Sequence, residues 1–424
     1  MGYGHQRAAY PLREIAYERI ITANSDKIVT PDEEKQWKRF RRYYEGLSRF
    51  TAVPIIGKLL FRLYDHFQNI SPFYPFRDLS KPTFISWYMH KMIRKDFMKS
   101  LVDYVKRKDM PLISTFFAPA LAAAHRGLKD VYCIVTDTDI NRVWVPEKPN
   151  KEKLYYLTPT ERSSRRLLQY GIKKDRIFFT GFPLPKENIG ADAKILKQDL
   201  GKRLPNLDPK KKYMSHYKAT LKAVLGKDYT EQKTHPLTLT FVVGGAGAQK
   251  GIGAAILQSL RKQILGHKIR VNLIPGTRIE IFEYFTRKVS ELHLQKEMDK
   301  YVTVMHALDK KTYFEKFNRI LRTTDILWTK PSEISFYTAL GLPIIIAPPL
   351  GAHEELNAKW LARLGSGFRQ ENPLYVNEWL FDWLDKGILA EAAWEGYTEA
   401  PTFGTYNIEK IIFDKKKRDI PLKY

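Results

Sequence analysis

The chain has 424 residues, enough for two or three domains that each bury a core of their own. It carries 71 Lys and Arg against 46 Asp and Glu, a formal net charge of +25, with 44% hydrophobic and 13% aromatic residues. That balance excludes global disorder and asks for a polyanionic partner, while the single cysteine, Cys133, excludes an intrachain disulfide and a cysteine-built zinc site and fits a reducing compartment.

Read in chain order, MGYGHQRAA (Met1–Ala9) is a glycine loop opening a helix. The apolar strand that normally delivers such a loop does not precede it; either that strand is absent or the true start lies upstream. No secretory leader pattern is present, and no apolar run approaches the roughly twenty residues of a membrane helix. From Trp37 to Lys99 basic residues interleave with large apolar ones: WKRFRRYYEGLSRF, IIGKLLFRLYDHF, FISWYMHKMIRKDFMKSL. Such helices suit a lipid interface, with aromatic rings at headgroup level and Lys or Arg reaching outward. They also suit amphipathic helices with solvated basic faces. Nucleic acid is the weaker candidate for the polyanion, because no zinc-finger spacing, RNA-recognition signature or basic zipper is present.

Short apolar runs follow at Pro111–Thr115, Val131–Asp137, Lys153–Pro159 and Arg176–Pro183, with helical patterns between them, among them Glu161–Gly171 with a glycine C-cap. Strands alternating with helices predict a parallel sheet. Cys133, inside VYCIV, reads as a buried structural thiol. Asn188–Pro236 is Lys-rich and reads as an inter-domain connection with an inserted helical element. A second α/β half begins at Leu237–Gly253 (strand, glycine loop, helix). It continues through strands at Ile269–Gly276, Tyr301–Ala307, Asp325–Lys330 and Pro343–Pro349, with a basic helix before Asp325. The predicted organisation is 1–187, a connection at 188–236, a second domain at 237–400, and a basic tail at 401–424 packing back on the first half.

Four places carry candidate chemistry. Gly244-Gly245-Ala246-Gly247 lies between a strand and a helix, where glycines let the backbone approach a phosphate and the helix start supplies N–H donors. A tight strand-to-helix turn explains the same pattern. His5 ends the first glycine loop and is a candidate general base or acceptor-orienting group. Asp137 and Asp139 close an apolar strand at the edge where α/β sheets bind ligands; acid/base work, metal binding and loop capping all fit. Glu354 and Asn357 open the helix after PIIIAPPLG and suit either sugar hydroxyls or helix capping.

Taken together and in order, these pieces resemble the family of processive diacylglycerol glucosyltransferases, plant-type monogalactosyldiacylglycerol synthases and the GlcNAc transferase of peptidoglycan lipid synthesis. MGYGHQRAA is similar to that family's GxGHxxAA loop, VTDTDINRVWV to its VTDxxxHxxW segment and TGFPLP to its TGIPV segment. VVGGAGAQKG is similar to its GGxxG diphosphate loop, and the stretch from Asp325 to Ala358 to its long KPGGxTxxEALAxGxPxI…GxExxNA motif. The resemblance implies an α/β protein of GT-B architecture, two Rossmann-like domains facing across a cleft. It implies an inverting, metal-independent hexosyltransferase without a separate cofactor. A nucleotide sugar, with a UDP-sugar favoured, would give its hexose to a membrane lipid at an anionic, cytoplasmic membrane surface.

By matching positions, Gly244, Gly245, Gly247, Lys330 and Ser332 would line the donor's diphosphate and Glu354 and Asn357 its sugar, with His5 and Asp137 as catalytic groups. The chain departs from the pattern at three positions: Glu333 replaces a glycine near the phosphates, Thr338 a ribose-binding glutamate, and Asn141 a histidine. These departures keep two alternatives open, a GT-B-like nucleotide- or glycan-binding protein without turnover and a sugar-nucleotide epimerase.

Overall fold

A computed structural model describes residues 3–39, 70–244, 247, 249–349 and 351–414. Most of the basic, aromatic segment, residues 40–69, lies outside the described residues, as do Gly245 and the tail from 415. The chain divides into two compact units: residues 1–183 with 351–356 and 403–423, and residues 184–350 with 357–402.

Among the described residues the first unit has four parallel strands, β1 (Leu112–Ser114), β2 (Val131–Ile134), β3 (Tyr155–Thr158) and β4 (Ile177–Phe179), in the order β1-β2-β3-β4. All four fall inside the apolar runs that predict them. Strands covered on both faces need no polar alternation and so read as continuous apolar stretches. The helix Phe117–His125 packs against β1 and β2 with all its residues but the last buried, and Cys133, Val135, Tyr156 and Leu167 are fully buried in the same core. Burial alone pushes the Cys133 thiol far up, which makes it a packing residue and not a nucleophile. The helix Glu161–Gln169 starts at a reciprocal cap between Thr160 and Ser163. The helix Gly404–Asp414 closes this unit, setting Ile408 and Ile411 against Leu12, Ile134 and Leu157 while the Asn407 amide donates to the Thr180 carbonyl at 2.9 Å.

The second unit holds, among the described residues, six parallel strands, β5 (Leu237–Val242), β6 (Ile269–Gly276), β7 (Val302–His306), β8 (Ile326–Thr329), β9 (Ile344–Ile346) and β10 (Gly367–Arg369). Their spatial order is β10-β9-β8-β5-β6-β7. Renumbered from β5, this is the 3-2-1-4-5-6 order of doubly wound sheets, and the order reverses between β5 and β8. Ligands of such sheets settle outside the carboxyl ends of the two strands that flank the reversal.

The Lys-rich stretch read as a connection is helical and belongs to this unit. Leu200, Leu204 and Leu207 of the helix Lys194–Leu207 are fully buried in its core, and only the opposite face carries the lysines. Arg203, on the same helix, is buried and donates to the carbonyls of Thr324, Leu340 and Gly341, capping two helix ends at once. Among the described residues no helix is long and apolar enough to cross a membrane.

Candidate functional site

At the reversal point of the second sheet three strand ends lie side by side. Val242, the last residue of β5, pairs with Thr329, the last of β8, and with Ile274 of β6, which runs two residues further to Gly276. The segments that follow are the glycine loop after β5, Lys330-Pro331-Ser332 after β8, and Thr277-Arg278 after β6.

Gly244 is where the first two meet. A side chain there would place its Cβ 2.8 Å from Cδ and 2.9 Å from Cε of Lys330, so the missing side chain is the space the lysine stem occupies. The loop then turns back on itself, with the Gly247 amide donating to the Gly244 carbonyl at 2.8 Å and Gly247 at φ +70°. That backbone strongly favours glycine, and a Cβ on Gly247 would also stand 2.6 Å from Ile281 Cδ1 and 3.2 Å from a guanidinium nitrogen of Arg278. The Gln249 amide fastens the loop's far end to the Pro348 carbonyl at 2.9 Å, and the helix Lys250–Ser259 starts immediately after it.

The β8 loop is held by its own contacts. The Ser332 amide donates to the Lys330 carbonyl at 2.8 Å, and Ser332 precedes a 3-10 helix, Glu333–Leu340, without capping it through its side chain. The Asn357 amide, fully buried, donates to the Pro331 carbonyl at 3.1 Å and so pins the loop from the helix Ala352–Arg363. Glu354 lies one turn earlier on that helix and is nearly fully buried. Lys330, Ser332 and Glu333 are half-buried at the loop's surface.

Thr338 is elsewhere. It is fully buried against the helix Ile388–Glu399, where a Cβ on Gly396 would stand 2.3 Å from its Oγ1. The residue that motif counting places at a ribose is therefore turned into the core.

In the first unit His5 stands within the short helix Tyr3–Ala9 and not in an open loop. Its Nδ1 lies 2.7 Å from the Thr115 carbonyl, the Thr115 hydroxyl donates to the His5 carbonyl at 2.7 Å, and Thr136 Oγ1 lies 3.4 Å from Nδ1. A carbonyl only accepts, so Nδ1 carries the proton and the lone pair of the neutral ring is on Nε2. The rings of Phe116 at 4.8 Å and Trp144 at 6.3 Å flank the imidazole.

Asp137 follows Thr136 directly and is half-buried. The paired carboxylate expected beside it is not available: Asp139 is fully buried and bound by Arg162 at 2.7 Å and by Arg166 at 2.8 and 3.0 Å. The acid/base and metal readings of the pair give way to a structural ion cluster at Asp139. Asn141, in the family's histidine position, caps the turn Arg142–Trp144 by accepting from the Val143 amide at 3.1 Å. It also lines a pocket of ≈ 400 Å³ with Lys81, Thr83, Arg142 and Tyr170.

Motif reading missed the holders of His5, Thr115 and Thr136.

The fold and site define a protein of two parallel-sheet α/β units, the second with a glycine loop and a lysine at its sheet's reversal point. One family model, described as "Domain of unknown function (DUF6938)", matches residues 227–378, which contain all six strands of the second sheet. No curated protein matches the chain. Among solved structures, one assigned as a UDP-N-acetylglucosamine 2-epimerase from Listeria monocytogenes is 14% identical, covers 82% of this chain and 85% of its own, and has a TM-score of 0.48. The UDP-GlcNAc 2-epimerase from Neisseria meningitidis bound to UDP-GlcNAc is 15% identical, with coverages of 85% and 89% and a TM-score of 0.44. MurG from Acinetobacter baumannii is 13% identical, with coverages of 77% and 78% and a TM-score of 0.43. Similarity at this level assigns no activity.

Proposed function

We propose that the protein is a GT-B glycosyltransferase that moves a hexose from a nucleotide sugar, with a UDP-sugar favoured, to a membrane lipid. The observation that carries this reading is the meeting of Gly244 and Lys330 at the reversal point of the second sheet, where the loop turns back and a helix starts. Backbone N–H groups and a lysine at that place suit a diphosphate. Lys330 and the loop amides stabilise the leaving diphosphate, so the displacement needs no metal. Asn357 acts by holding the Lys330–Ser332 loop, and Glu354, on the same helix face, serves the sugar. The first unit serves the acceptor. His5, fixed as the Nδ1–H tautomer by Thr115, takes the acceptor proton on Nε2, with Asp137 beside Thr136 as the second polar group.

A lipid acceptor fits the surface of the helix Phe84–Arg94. Phe84, Trp87 and Tyr88 are exposed there, and the Lys91 ammonium lies 4.9 Å from the Trp87 ring centre. Aromatic rings and a cation side by side suit an anionic headgroup layer, and they support the reading of a protein peripheral on the cytoplasmic face of a membrane.

The test is transfer of labelled hexose from a UDP-sugar panel to vesicles that contain diacylglycerol and an anionic phospholipid. Transfer that persists in EDTA and falls by about 10²–10⁴-fold in His5→Ala is the expected result. Tight nucleotide binding without transfer would make the protein a binder. Interconversion of free UDP-sugars without vesicles would make it an epimerase.

A further inference from the structure

We propose that the lysine-covered face built by residues 209–233 of the second unit is a docking surface for an anionic phospholipid layer. It is a membrane contact in addition to the helix Phe84–Arg94 of the first unit, so it rests on the membrane part of the reading above and not on the donor site.

The stretch PKKKYMSHYKATLKAVLGKDYTEQK carries seven lysines against two acids, Asp228 and Glu231, and no arginine. All seven lysines are exposed. The stretch folds as two short helices, Lys212–His216 and Lys218–Leu225, followed by a segment that returns along them. Both helices precede β5, so they form none of the crossovers of the second sheet. Tyr213, Met214, Leu221 and Leu225 anchor them in the unit's core, and the buried Asp208 carboxylate accepts from the Lys212 and Met214 amides at 2.8 and 2.7 Å. The lysines therefore stand on a fixed base. Lys218 and Lys222, one turn apart, lie on the side that meets the returning segment. Lys218 and Lys211 reach the Glu231 carboxylate at 2.7 and 3.1 Å, and the Tyr229 hydroxyl donates to it at 3.0 Å. The Lys222 ammonium lies 5.7 Å from the Tyr229 ring centre. Hydrogen bonds from Lys218, Lys211 and Tyr229 hold the Glu231 carboxyl well below the usual carboxylate range. One ionised carboxylate thus draws lysines from both helices together, and the face keeps a large excess of positive charge.

Like charges gathered this densely repel, and an anionic layer relieves that repulsion. The residue types select the kind of anion. Nucleic-acid and discrete phosphate sites favour the guanidinium fork, which reads oxygens in pairs, and this face has no arginine. Ammonium groups on flexible stems suit a laterally mobile layer of headgroups, where charge is read and geometry is not. A protein partner needs an apolar centre to its contact. Here Tyr217, 43% exposed, is the one exposed large apolar side chain among the described residues of the face. Docking is therefore electrostatic and shallow, unlike that expected of the exposed rings on the helix Phe84–Arg94.

The experiment is co-sedimentation of the full chain with vesicles of phosphatidylcholine alone and of phosphatidylcholine with about one-third phosphatidylserine. It compares wild type with a variant combining Lys210→Gln, Lys212→Gln, Lys222→Gln and Lys227→Gln, and with one carrying arginine at the same four positions. Lys211 and Lys218 are kept so that Glu231 retains its partners. Wild type is expected to prefer the anionic vesicles, with binding that falls steeply between about 0.05 and 0.5 M salt. Each lysine near such a surface is worth about fivefold, so the glutamine variant should bind about a hundredfold more weakly or worse, at an unchanged thermal midpoint. The arginine variant should bind as wild type does. A glutamine variant that binds anionic vesicles to within about twofold of wild type would overturn the role of this face and leave the lipid reading of the first unit standing. A wild type that binds neither vesicle would overturn both. A wild type that binds polyuridine RNA more tightly than anionic vesicles, with the same loss in the glutamine variant, would make the face a nucleic-acid surface and overturn the lipid.

Discussion

Gly244→Ala is expected to weaken UDP binding by roughly ten- to a hundredfold while leaving the thermal midpoint where it is. The added Cβ would stand 2.8 Å from Cδ and 2.9 Å from Cε of Lys330, and both are atoms of a flexible stem. Gly244 is outside the positive-φ region, so its backbone accepts alanine without strain. The clash is therefore relieved by swinging the lysine away, which costs the fold little and takes the ammonium off the phosphates. A charge-assisted hydrogen bond contributes about 1.5–3 kcal/mol, which is roughly one to two decades in Kd. Lys330→Met should lose a similar amount, and the double variant should lose no more than either single one, because both remove the same contact. Gly247→Ala behaves differently. With φ at +70° and Ile281 Cδ1 at 2.6 Å from the new Cβ, it strains the backbone and the packing, so stability falls by about 1–2 kcal/mol along with binding. Calorimetric titration with UDP and thermal unfolding separate the two variants. Wild-type affinity in Gly244→Ala would remove Lys330 from the site.

Much of the second unit was legible in the sequence because its signals are local. Buried parallel strands announce themselves as apolar runs such as LTLTFV and PIIIAPP, and a glycine cluster between strand and helix marks the turn at Gly244–Gly247. What the sequence does not display is the order of strands. That order alone decides that β5 lies between β6 and β8, and hence that Arg278 and Lys330 flank one loop. Thr338 shows a subtler failure. Counting along the motif places Thr338 by its spacing from Lys330 and takes no account of helix type, and the segment Glu333–Leu340 is a 3-10 helix and not an α-helix. At about 120° per residue against about 100°, five residues from Glu333 to Thr338 differ by roughly 100° between the two, enough to turn the side chain from the loop to the helix Ile388–Glu399. The pair Asp137 and Asp139 shows the converse. Two carboxylates at a strand end look equivalent in sequence, yet only tertiary structure brings Arg162 and Arg166 to one of them.

That arrangement makes Asp139→Asn the substitution expected to cost the most stability, about 3–5 kcal/mol in the first unit. Asp139 and Arg166 are both fully buried, and the carboxylate accepts from Arg166 Nε and Nη2, from Arg162 Nε and from the Ile140 amide at 2.9 Å. Arg166 is further fixed by the Ser71 carbonyl at 2.7 Å and Gln169 Oε1 at 2.9 Å, and the Phe73 ring lies 5.1 Å from its guanidinium carbon. An asparagine keeps the shape and removes the charge, so a guanidinium that cannot deprotonate is left buried without its counter-ion. Arg162 is partly solvated and can reorient; Arg166 cannot. The loss should appear as faster amide exchange in β2 and β3 with β5 and β6 unchanged, since each unit has its own core. Asp139→Leu with Arg166→Met should recover most of it, because an apolar pair of similar volume replaces a buried ion pair at little cost, whereas either change alone strands a charge. Because Asp139 sits two residues beyond Asp137, the same variant should also displace Asp137 and lower any transfer activity. The double replacement restores stability without restoring the loop's anchor to Ser71, so its activity should stay low. Full activity in that stable double variant would show that the arginine cluster supports the fold alone and leaves Asp137 where it is.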